Sequence, residues 1–271
     1  MTAVLPMAVS AQRAVPGRLP ERAGWGAALL AVFALEASRA RVARVPLLFV
    51  AAFQSIGIMV LLRGVVARRG GDLTSASVVA GATVLVAAFV ALNLMAQRIA
   101  ALRANGGLER YAALGTPPSA VVLGTAAAFA GFTVPGAVVT AAGGAGLYGL
   151  PFGRLWVLVV VLPLAAAALA GVGALIGTLA PKPELATVLG QLGMSAVIFI
   201  DIVPRGRLPG LVQAVRAAVP SSYAADALGE TFRAHVRWAS VVADLGVCLA
   251  VAVAALALAG VALRRAARLP S

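Results

Sequence analysis

One histidine, one cysteine and one lysine leave little room for catalysis: His235, Cys248 and Lys182 stand far apart, and Lys182 is held between Pro181 and Pro183. A nucleophile needs a base beside it, and a metal needs a cluster of His, Cys, Asp or Glu. The nine acidic residues offer no such cluster within an apolar run. A nucleotide-binding loop would need Gly-x-x-x-x-Gly-Lys-Ser/Thr, whose backbone amides and lysine cradle phosphates. The only lysine has no such context, so no catalytic residue, metal ligand or bound cofactor is expected here. His235 reads as a solvated interfacial residue and Cys248 as a small core thiol that can form no intrachain disulfide.

The remaining polar chemistry is sparse and lies inside apolar surroundings. Gln54, Asn93 and Gln191 are amides within long hydrophobic runs, and Asp201 and Asp244 lie near run ends. An amide there either bonds to a neighbouring helix or lines a path for a polar part of a substrate. So few ionisable groups argue against a proton- or ion-coupled carrier, which needs charge near the middle of the membrane.

Six apolar runs hold these residues: 45–62, 78–96, 120–142, 155–180, 185–203 and 241–263. Each approaches or exceeds the ~20 residues a helix needs to cross ~30 Å of hydrocarbon. With 62% hydrophobic and 11% charged residues, the composition is that of an all-α integral membrane protein with six spans, and not of a soluble domain. Gly173 and Gly177 form a GxxxG in the fourth span, Gly124, Gly131 and Gly136 dot the third, and both are expected to mark close helix packing. Pro135 and Pro163 should bend the third and fourth spans.

The net charge of +13 belongs to short basic clusters at the ends of these runs. That pattern suits a membrane surface and excludes a nucleic-acid face. With both termini placed in the cytoplasm, thirteen of the 22 basic residues fall on that side, and five of the rest lie in one long external connection. Arg63, Arg68 and Arg69 oppose this assignment. Residues 1–24 read as a disordered basic arm, 25–265 as the membrane domain and 266–271 as a cytoplasmic tail.

Residues 24–35 are too short an apolar stretch to cross. They faintly suggest a cleavable signal; the better fit is a helix in the membrane surface, with Trp25, Leu29, Val32 and Phe33 on one stripe. Glu36 continues that stripe, and its carboxylate needs a cation. Arg39 is the local candidate, and an arginine on another segment is the distant one.

Between the second and third runs, Asn105, Gly106 and Gly107 should break one helix, and 108–114 should form a short helical piece before Gly115, Pro117 and Pro118. Leu108 and Tyr111 would supply an apolar face, with Glu109 and Arg110 charged and Leu114 closing the piece. Before the last run, 211–219 can form an amphipathic helix that Pro220 ends, with Ser221 or Ser222 capping the next. Such short external helices could cover an exit or merely pack on the bundle.

The stretch Gly106-Gly107-Leu108-Glu109-Arg110 ahead of Pro117, with Pro220, Tyr223, Asp226, Ala227 and Leu228 before the last run, resembles the membrane subunits of type-2 ATP-binding-cassette (ABC) exporters. The spacer from Arg110 to Pro117 is longer than is commonest in that family. The resemblance implies a permease for a hydrophobic or amphipathic substrate such as a drug, an antibiotic or a lipid. It implies separate ABC ATPase subunits that consume ATP and Mg and dock at residues 106–114, and a homodimer or a pairing with a related permease. A bacterial inner membrane, contact with membrane lipids and an external lid at Pro220, Tyr223 and Asp226 go with it. The rival reading of the same residues is a non-transporting assembly or sensory subunit.

Overall fold

The computed structural model describes residues 24–39, 75–202, 216, 219–233 and 235–266, with isolated positions at 49, 53, 56, 57 and 60. Most of the first expected span, with Gln54, and most of the amphipathic piece at 211–219 lie outside the described residues. Every regular element among the described residues is helical. We number them α1 (25–39), α2 (Ser75–Ala104), α3 (Gly107–Ala113), α4 (Pro118–Tyr148), α5 (Phe152–Leu179), α6 (Pro183–Ile202), α7 (Pro220–Thr231) and α8 (Trp238–Ala266).

Helices α2, α4, α5 and α8 are each long and apolar enough to cross a bilayer. Burial ranks them: 89% of the apolar window of α2 is buried but only 28% of that of α8, so α2 is the centre of the bundle and α8 its rim. Val242, Leu249, Val253 and Leu258 of α8 are exposed. A face of that kind is stable against lipid tails and not against water. The molecule is an all-α membrane protein.

Small residues decide how closely these helices approach. A methyl group on Gly173 or Gly177 of α5 would run into the backbone carbonyls of Leu92 and Ala96 in α2, and one on Gly190 of α6 would come within 2.6 Å of Asn93 Oδ1. The GxxxG of α5 therefore seats α2 as expected. Gly124 of α4 does the same for α1, since its Cβ would meet Val32 at 2.9 Å. Gly131 faces open space. Between Ala88 and Leu94, beside Gly173, α2 widens into a π-helical turn, the kind of local irregularity that shifts the register of the side chains on either side of it.

The core has two halves. One joins α2 from Ala76 to Val86 with α7, the first turns of α5 and Cys248 of α8. The other joins Val32 of α1, the second half of α2, Leu108 of α3, Val121 of α4 and Leu263 of α8. The second half holds the sequence elements with functional promise.

Candidate functional site

The junction of α1, α2 and α3 is built on a turn that only glycine adopts easily. Helix α2 runs eight residues past its expected end to Ala104, then Asn105 closes it and Gly106 takes φ 62°. In the left-handed region a side chain would be strained, and Gly does not have one. The chain reverses at once into α3, and Gly115 with φ 68° ends that piece. The short helical segment expected after Asn105-Gly106-Gly107 is present with its boundaries shifted by one residue.

Leu108 is 8% exposed and belongs to the same apolar cluster as Leu102, Met95 and Leu263, with Tyr111 half-buried against it. Their side chains anchor α3 to its own bundle. Leu108 and Tyr111, the apolar face expected of this piece, lie on the side of α3 that packs against its own bundle. What α3 offers outward is Glu109 and Arg110, with Leu114 71% exposed just after its end.

Glu36 of α1 resolves between its two candidate cations. Although α1 lies on the bundle, only Ala28, Val32 and Glu36 are buried, at i, i+4 and i+8. Trp25 and Phe33, placed on the inward stripe by spacing, are 51% and 38% exposed. The buried line is a single row, with Val32 seated directly over Gly124. Trp25 still ties back through its indole N–H to Ser119 Oγ at 3.3 Å.

At the end of the buried row, Arg98 of α2 donates to the Glu36 carboxylate from Nη2 at 2.6 Å and from Nε at 3.1 Å to both oxygens. Arg39, the local candidate, stands at 3.5 Å and is half-exposed. The distant pair is the dominant one, since planar guanidinium and carboxylate meet along two edges. The Tyr111 hydroxyl is enclosed beside this pair without a well-formed hydrogen bond. Burial pushes its phenol above the ordinary value, the Glu36 charge adds to this, and Arg98 and Arg39 oppose it. Three elements thus meet through Glu36, Arg98 and Tyr111.

A second arginine locks the same end. Arg103 Nη1 donates to the carbonyls of Thr178 and Ala180, where α5 runs out of intrahelical donors. Both arginines lie beyond the expected end of the second span at residue 96, in a helical extension that joins α1, α2, α3 and α5. The spacing of Arg98, Arg103 and Leu102 on one continued helix was the available signal, because Asn105 and not Ala96 is the first breaker.

At the opposite end, α7 packs into the bundle against α2, α5 and α8. The thiol of Cys248, ten residues into α8, donates to the Pro220 carbonyl at 3.4 Å, so α7 begins deep and rises toward the Trp238 end. Arg154 Nη1 caps its last turn at the carbonyls of Thr231 and Arg233. The segment around Pro220, Tyr223 and Asp226 packs on α2, α5 and α8. Asp226 pairs with Arg216 at 2.8 Å.

Two of the three amides, Asn93 and Gln191, are among the described residues. Asn93 is 1% exposed, accepts from Gln97 Nε2 at 3.1 Å one turn along its own helix and fills the notch over Gly190. Gln191 is exposed. Lys182 and His235 are exposed. No group of three or more His, Cys, Asp or Glu able to hold a metal occurs among the described residues.

The fold and this junction define a multi-pass membrane protein with a short amphipathic helix mounted on its central span. Residues 31–232 match the ABC-2 type transporter family. The chain belongs to that family, and it is a membrane permease subunit of an ABC transporter. A comparison with curated proteins finds no match.

Proposed function

We propose that this chain forms, with a second copy or a related permease, the translocation path of an exporter for a hydrophobic or amphipathic substrate. Separate ABC ATPase subunits consume ATP and Mg and dock on the outward side of α3 in the cytoplasm of a bacterial cell. Six spans with both termini in the cytoplasm belong to this reading, and the substrate leaves on the side of α7. The single observation that carries it is the Glu36–Arg98 pair beside Tyr111. A displacement imposed on α3 has a rigid route into α2, the most buried helix, and into α1 at the membrane surface. An amphipathic helix with its apolar side bolted down and its charged side free suits a lever more than a tether.

The test is co-purification of an ATPase and export measured in the same cells. Arg110→Ala with Leu114→Ala should weaken ATPase capture severalfold, because both side chains are free to touch a partner. Tyr111→Phe should leave capture intact, since the ring remains in its own core. ATP hydrolysis by the isolated 271-residue chain would overturn the reading, as would full export with the double variant.

A further inference from the structure

We propose that the cavity at the Gly106 end of the bundle is a binding site for an anionic phospholipid. The cavity has a volume of about 900 Å³ and lies between the ends of α2, α3, α5 and α8, within the size range of ligand sites. Three cations reach its lining, Arg103, Lys182 and Arg265, against one carboxylate, Glu109. The carbonyls bonded by Arg103 are neutral and do not cancel its charge. Lys182 and Arg265 have no ion-pair partner among the described residues.

Apart from Thr178, the rest of the lining is apolar. Leu258 and Val261 of α8 and Leu179 of α5 are 58%, 44% and 73% exposed. Leu258 precedes Arg265 by seven residues, about two helical turns or ~10 Å along the axis. A phosphate group at Arg265 and Lys182 would place an acyl chain along Val261 and Leu258 toward the middle of the bilayer. Basic pockets at the membrane face of helical bundles take acidic headgroups in this way. A free phosphate ion would leave the leucines uncovered. A soluble protein would have to reach into the hydrocarbon boundary to cover them, whereas one lipid satisfies both halves of the cavity.

The experiment is native mass spectrometry of the full chain purified in detergent micelles, titrated separately with phosphatidylglycerol and phosphatidylcholine. Phosphatidylglycerol should be retained and phosphatidylcholine should not. Lys182→Ala with Arg265→Ala should weaken phosphatidylglycerol binding on the order of tenfold, while Arg264→Ala, adjacent but outside the lining, should change it less than twofold. Lys182 and Arg265 are exposed, so the double variant should elute as a single species with an unchanged melting temperature. As an independent variant, Leu258→Trp should fill the acyl groove and lower binding with all charges in place. Equal retention of both lipids, or undiminished binding by the double variant, would overturn the proposal. Displacement of phosphatidylglycerol by millimolar inorganic phosphate would assign the site to a soluble anion, and displacement by the partner ATPase would assign it to protein docking; either result would overturn it too.

Discussion

Glu36 is the most consequential carboxylate in the described chain because it is 4% exposed and its charge is met from another helix. Removing one partner of a buried pair leaves the other uncompensated, at a cost of about 3–5 kcal/mol, whereas a solvated pair contributes about 0–1 kcal/mol. Arg98 is partly exposed and Arg39 remains near, so Arg98→Ala should cost about 3 kcal/mol. Arg39→Ala should cost less than about 1 kcal/mol. Thermal unfolding in detergent would show the order, and equal effects would mean that Arg98 is not the dominant partner of Glu36. Arg98→Lys should recover only part of the loss, because an ammonium cannot meet both carboxylate oxygens along one edge.

A second carboxylate makes a pH prediction. Glu230 sits at the Trp238 end, and the hydrogen bond from Arg237 holds its carboxyl below the ordinary value, outweighing burial, with Arg233 adding to the depression. A folded pKa below the unfolded one means the stabilisation is complete above the unfolded carboxylate range. It is lost as pH falls through the depressed value. Melting temperature should therefore fall more steeply on acidification in the parent than in Glu230→Gln. Parallel curves between neutral pH and pH 3 would refute a linked Glu230.

At the scale of elements, the contact between α2 and α5 is set by absence of side chains. Gly173→Ala would drive a methyl group into the Leu92 carbonyl beside the π-helical turn, and backbone cannot yield as a side-chain tip can. Overpacking of this sort costs roughly 1–3 kcal/mol. Lower melting temperature and reduced yield of monodisperse protein are expected, while Gly131→Ala in α4, facing open space, should behave as the parent. The turn at Gly106 was legible from Asn-Gly-Gly because helix breakers act locally. The inward direction of Leu108 and Tyr111 was not, since periodicity shows that a helix has an apolar side without saying whether its own bundle or a partner covers it.

For the whole molecule the orientation assignment rests on basic residues and is testable by labelling. Ser222 is 1% exposed and would be a silent reporter, so His235→Cys is the better external position. It should react with an impermeant thiol reagent in intact cells, while Ser271→Cys should react only after the cells are opened. The reverse pattern would invert the protein and remove α3 from the cytoplasm.

Length and hydropathy of the runs were enough to give an all-α membrane protein, because the cost of placing polar backbone and charge in hydrocarbon is large and nearly independent of fold. Motif order was enough to suggest the family, and the breakers around residue 106 to place the short helix. Packing decided what local chemistry leaves open. Glu36 chose Arg98 across 62 positions of chain because α1 settles over Gly124, a contact that exists only once α1 and α4 are side by side. The segment after Pro220 became an inserted helix through its packing on α2, α5 and α8. The cations of Arg103, Lys182 and Arg265, spread over more than 160 residues of sequence, came to line one cavity through the convergence of helix ends, a long-range geometry that no local spacing encodes.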